Sequence, residues 1–214
     1  MRSVPLGPGI VSVPFEAVLA ALRSAPDPDD WAAVGHLVLP VFPRRRPFSF
    51  DGPEPLRVQL PPGVLVGFGI DLGPAIAFVS PEMLERWPVT ADGLTAIALA
   101  NLRERLADSG PDTVQQVERD GVWMRVLQTG LGIASTTVLL PDELRRIFGA
   151  GPQRFVAPMR DLLVSFPLAS DPAVAADLVE DLAERDPNAL AVESFVLDRG
   201  ELRCAALGPV GGMA

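Results

Sequence analysis

Lysine and tyrosine are absent from this 214-residue chain, and histidine and cysteine occur once each, as His36 and Cys204. A single cysteine excludes a disulfide within the chain and makes the cytoplasm the expected location. With one histidine, one cysteine and carboxylates that follow no ligand spacing, neither a metal site nor a cofactor is expected. No apolar run reaches the roughly 18–20 residues that span a bilayer. The opening MRSVPLGPGIVSVPF has one early Arg, but its prolines interrupt any apolar helix, so it does not read as a signal peptide. A general basic surface is also missing. All 18 basic residues are Arg, against 27 acids, for a net charge of −9. That balance argues against nucleic acid or an anionic membrane as partner.

Hydrophobic residues make up 48% of the chain, enough for a sizeable core in one large domain or two small ones. Abundant Ala, Arg, Gly and Pro suggest a bacterial source of high GC content. Residues 1–70 hold 12 of the 23 prolines, and their six acids and six Arg cancel, so the net negative charge lies in 71–214.

The organising stretch is Ala75–Leu106. Ala75–Val79 reads as a strand buried on both faces. Ser80 caps a short helix with Pro81 at its first position, and Pro88 stops it. Thr90 caps a longer helix with Leu94, Ile97, Ala98, Leu102 and Leu106 on one stripe. Asn101 falls on that stripe, so its amide either clamps neighbouring backbone or faces a ligand.

On either side, Phe15–Arg23 reads as a helix, and His36–Phe42 as an edge strand or irregular segment because of Pro40. Leu56–Leu60 alternates as a half-buried strand, and Val64–Ile70 follows as another. Asp120-Gly121 and Asp198-Arg199-Gly200 mark hairpins. Thr136–Leu140 reads as a strand or a first helical turn. Helices are expected from Pro141 to Gly149 and after Asp171-Pro172, and two short apolar runs flank Arg160-Asp161. Strand pairs alternating with helices predict an α+β fold with a mainly antiparallel sheet and helices on one face. The expected organisation is a Pro-rich segment 1–60 packed on a main domain 61–207, then a tail 208–214.

Chemistry is sparse. Gly130-Leu131-Gly132 resembles a dinucleotide loop weakly, with Ser135 at the third glycine position and a hairpin before it. Arg44-Arg45-Arg46 reads as a solvated loop able to grip an anion. Arg160-Asp161 is either an anion site or a structural pair, with Arg160 reaching a carboxylate such as Glu82 or Glu85. Ser135, His36 and Asp161 are the one serine–histidine–acid choice, but no G-x-S-x-G surrounds Ser135. Cys204 reads as a small core residue.

The segment VSPEMLERWPVTADGLTAIALANL, the Ala134-Ser135 pair followed by VLLPDEL, and VAPMRDLLVSF together resemble the YtpQ-like family of uncharacterised bacterial proteins. The resemblance lies within residues 75–166 and implies a small cytosolic bacterial protein, with no mechanism attached. The expected function is a noncatalytic binding domain for a protein or peptide partner, with a homodimer also open. The competing expectation is a hydrolase or transferase on a small anionic substrate. Candidate ligand-binding residues are Asn101, Ser135, Arg160 and Asp161, and no catalytic residue is assigned.

Overall fold

The computed structural model describes residues 14–44, 54–60, 63–109, 114–119, 121–185, 189–190 and 194–205. The first part runs α1 (Phe15–Arg23), α2 (Trp31–Val34), β1 (Val38–Val41), β2 (Arg57–Leu60), β3 (Val64–Asp71), β4 (Ile76–Phe78), α3 (Pro81–Arg86) and α4 (Ala91–Ala107). The second runs β5 (Val114–Arg119), β6 (Val122–Leu127), a 3₁₀ turn (Ser135–Leu139), α5 (Pro141–Phe148), β7 (Gln153–Met159), β8 (Leu162–Pro167), α6 (Pro172–Arg185), β9 (Ser194–Asp198) and β10 (Glu201–Ala205). All strand pairings are antiparallel, in two sheets. The fold is α+β. Among the described residues no helix is long and apolar enough to cross a membrane.

Local chemistry sets the ends of these elements. The Ser80 hydroxyl accepts from the Met83 N–H, and Pro81 occupies the first turn of α3. The Thr90 hydroxyl accepts from the Gly93 N–H at 3.2 Å and starts α4. Arg199 (φ 49°) and Gly200 (φ 85°) both take the left-handed conformation that a two-residue hairpin turn requires. Gly121 (φ 77°) does the same between β5 and β6; Asp120 lies outside the described residues. The expected strand-or-helix segment after Ala134 is the 3₁₀ turn.

In the smaller sheet β3 is central. β1 flanks one side, while β2 and β4 lie end to end on the other. Pro40 is tolerated because β1 is an edge strand with β3 as its partner. β4 departs from expectation: it is only half-buried, and Phe78 is 49% exposed. A three-residue strand on the sheet's flank leaves one face uncovered; the buried residue is the next one, Val79. Because β2 pairs with β3, this sheet runs across the expected boundary at residue 60. The tail 208–214 and the residues Arg45 and Arg46 lie outside the described residues.

The larger sheet has the order β10-β9-β7-β8-β6-β5. Helices cover both of its faces rather than one. Leu144 and Phe148 of α5 pack with Leu127, Phe155 and Leu163 on one face. Ala175 and Leu178 of α6 pack with Met124, Val126 and Val164 on the other. Side chains alternate along each strand, so the two apolar sets are separated by register alone.

α4 joins the halves. Its N-terminal half places Leu94 and Ala98 against Val38, Phe68 and Trp87. Its C-terminal half places Leu102 and Leu106 against Leu39, Ile133 and Leu140. Asn101 sits between these contacts, and its amide donates to the carbonyls of Gly35 and Val38, at 2.9 Å each. It ties α4 to the turn that leads into β1.

Candidate functional site

Arg160 and Asp161 form the tip of the β7–β8 hairpin, where Met159 pairs with Leu162. The Asp161 carboxylate accepts from the backbone N–H groups of Thr129 (3.3 Å), Gly130 (2.7 Å), Gly132 (3.1 Å) and Ala134 (3.4 Å). The Thr129 hydroxyl donates to it as well. Converging backbone N–H groups make an anion-binding concavity. The glycine loop after β6 is such a concavity, and its anion is a side chain of the same protein. Gly132 is required there: its φ is +72°, and a Cβ would lie 3.0 Å from the Arg160 guanidinium carbon.

Arg160 turns the other way. Its Nε donates to the Gly132 carbonyl at 2.9 Å, and a terminal nitrogen lies 3.8 Å from Asp71 Oδ1. Arg105 of α4 reaches the other Asp71 oxygen at 3.4 Å. The Asp71 side chain is only 8% exposed. Burial lowers the Arg160 pKa; Asp71 and Asp161 oppose that shift, and the Arg44 charge adds to it. The carboxylate that answers Arg160 is therefore Asp71, not Glu82 or Glu85, which are exposed on α3. The reason is topological: the end of β3 faces the β7–β8 tip, while α3 lies against the smaller sheet.

Ser135 belongs to the same cluster, since its N–H donates to the Arg160 carbonyl at 3.1 Å. The structure thus brings Ser135, Arg160 and Asp161 together, but in bracing roles. Ser135 is 1% exposed. The Asp161 carboxylate is already taken up by five hydrogen bonds from the Thr129–Ala134 loop. His36 is exposed on the 3₁₀ turn Gly35–Leu37 and takes no part in the hydrogen bonds around Ser135 and Asp161. Asn101 is occupied by backbone, as described above. Cys204 lies on β10, partly buried beside the core. Among the described residues no group of His, Cys, Asp and Glu is placed to hold a metal ion.

A second cluster lies elsewhere. A cleft of about 740 Å³ opens between the end of α4, strands β5 and β6, and α5. Arg103 comes from α4, Arg125 from β6 and Arg146 from α5, and Gln115, Gln116 and Ser109 add polar groups. Leu106, Val114, Leu127 and Ile147 form its apolar parts. Register places Arg125 opposite Gln116 and Leu127 opposite Val114, so these four share one sheet face. Among the described residues the lining holds one carboxylate, Glu143, and Arg146 Nε lies 2.7 Å from it. Arg125 donates to the Phe148 (2.6 Å) and Ile147 (2.9 Å) carbonyls, capping the negative end of α5 while keeping its charge. Arg103 is exposed and makes no ion pair with any described residue.

None of these three arginines was singled out by the sequence. Each looks like an ordinary surface charge on its own element, and only the fold gathers them. In comparisons with known proteins, no family model, no curated protein and no solved structure matches the chain.

Proposed function

We propose that this chain is a noncatalytic binding protein of the bacterial cytosol, and that it takes an anionic ligand in the cleft between α4, β5–β6 and α5. One observation carries the reading: among the described residues, three arginines from three elements line one cleft with a single, already paired glutamate, in a chain of net charge −9. Clefts lined by one sign of charge concentrate ligands of the other sign. Guanidinium groups also offer forked donors that match carboxylate and phosphate oxygens. The single cysteine supports the cytosolic part of the reading, and the resemblance of residues 75–166 to YtpQ-like proteins supports the bacterial part.

The competing reading, a hydrolase or transferase through Ser135, Arg160 and Asp161, draws no support from the geometry. Its serine is buried, and its carboxylate and guanidinium are committed to the protein's own loop and to Asp71.

Isothermal titration with inorganic pyrophosphate and with citrate tests the binding reading. Binding should weaken as salt rises, as exposed charge interactions do, and should disappear in the Arg103→Glu/Arg146→Glu double variant. No heat with either anion at low ionic strength, or undiminished binding by the double variant, would overturn it.

A further inference from the structure

Val114, Gln115 and Gln116 are consecutive, and all three line the cleft. Side chains on a strand alternate between faces, so three in a row cannot all reach one face. Val114 and Gln116 share the face of Leu127 and Arg125 through cross-strand register, and Gln115 points to the other face. The cleft therefore is not lined by the side chains of one sheet face alone where it meets β5. Among the described residues β5 is the last strand of the six-stranded sheet and pairs with β6 alone. Such a strand leaves a row of outward N–H and C=O groups unpaired by the sheet.

These features coincide: an open strand edge, three guanidinium groups beside it and apolar floor positions at Val114 and Leu127. A compact anion would use the arginines and leave the edge idle. An extended peptide would use both, because main-chain hydrogen bonds supply affinity and alternate side chains supply specificity in strand addition. Trp123 lies two residues before Arg125 on the same sheet face and is 54% exposed. It extends the surface by about 7 Å along the strand, the rise of two residues. Glu118 stands opposite Trp123, so acidic side chains are favoured at the Arg125 end and apolar ones at the Trp123 end.

We infer that the cleft's occupant is an acidic peptide segment of a partner protein, bound in extended form as an added strand on β5. This rests on the anion-binding reading above and narrows its ligand to one class. Acidic side chains on one face of the peptide meet Arg103, Arg125 and Arg146, and its main chain pairs with β5.

The test uses the full chain and a fluorescein-labelled peptide alternating Glu and Val, read by fluorescence polarisation. Three comparison peptides are the same sequence with Lys for Glu, the same sequence N-methylated at alternate residues, and a scrambled Glu/Pro sequence. Expected are saturable binding of the Glu/Val peptide alone and about a tenfold loss in Arg103→Glu, the effect of one charge-assisted hydrogen bond. N-methylation in the productive register should cause a larger loss, and β5 amides should gain protection from hydrogen exchange in the complex. Equal binding of the N-methylated and parent peptides would show that charge alone is read and would overturn the inference. Binding of pyrophosphate without any of the peptides would overturn it too, while leaving the anion-binding reading intact. Failure of both pyrophosphate and peptide would remove both. Protection of β5 on raising the protein concentration, with no peptide binding, would assign the edge to a second copy of this chain and overturn the peptide.

Discussion

Among the described residues arginines gather in two places, and the two differ in how they are answered. Around the β7–β8 tip, Arg160 and Arg105 meet Asp71, while Asp161 is surrounded by backbone N–H groups. In the cleft beside β5, three arginines face one paired glutamate. Clustered charge by itself does not distinguish a brace from a binding site. What separates them is how far the counter-charge and the hydrogen bonds are supplied from within the protein: in the cleft Arg125 and Arg146 are answered in part, and Arg103 has no ion pair with any described residue. A brace supplied from within should matter for stability and not for ligands, and a site left open should show the reverse.

The largest break of that contrast is Asp161→Asn. It removes the charge, and one of the two acceptor oxygens becomes a donor facing the loop N–H groups. Unfolding by urea should show a loss of about 3 kcal/mol, the upper range for hydrogen bonds to a charged group. A loss below half a kcal/mol would mean that the loop does not depend on its carboxylate. Asn101→Ala leaves the Gly35 and Val38 carbonyls without their donor. It should cost about 2 kcal/mol in the same measurement, as unsatisfied buried acceptors do.

A finer comparison sets Arg160→Ala against Arg103→Ala. The first should destabilise by about 1.5 kcal/mol, through lost hydrogen bonds to a charged group, and leave pyrophosphate binding unchanged. The second should leave stability within about 0.5 kcal/mol, as surface changes do, and weaken pyrophosphate. If the two variants behave alike in both assays, the division between brace and site fails.

The smallest effect is at the start of α3. The Ser80 side chain, then the backbone of Glu82 and the nearby Arg86, hold the Glu82 carboxyl below the usual carboxylate range. A carboxyl with a lowered folded pKa adds stability above its unfolded pKa, and this is lost as pH falls through the folded value. The stability difference between the wild type and Glu82→Gln should therefore be small at neutral pH and vanish in acid. A difference that grows on acidification would reverse the sign.

The sequence shows clearly whatever is decided within a few residues. Ser80 with Pro81, Thr90 with the α4 stripe, and Arg199-Gly200 each place their structural cause beside their effect. Asn101 stood out because a polar residue on an apolar stripe has to be satisfied. The partners of Arg160 and Asp161 were hidden for the opposite reason. Asp71 ends a strand in the other sheet, and the Thr129–Ala134 loop is brought to Asp161 by the pairing of β6 with β8. The cleft was hidden more completely, since Arg103, Arg125 and Arg146 belong to three elements and none is unusual alone. The two-sided covering of the larger sheet also depended on which connection crosses which face, and apolar patterning does not report that.

The placement of α4 has a mechanical consequence. One helix supplies Leu94 and Ala98 to the core of the smaller sheet, and Leu102 and Leu106 to the packing beside the larger one. A rigid rod shared by two cores makes them melt as one cooperative unit, because neither can loosen without releasing the rod from the other. Hydrogen exchange should then find the α4 amides opening only with global unfolding, and denaturation followed at Trp87 and at Trp123 should give superimposable curves. Separate midpoints for the two tryptophans would mean that the shared helix does not couple the halves.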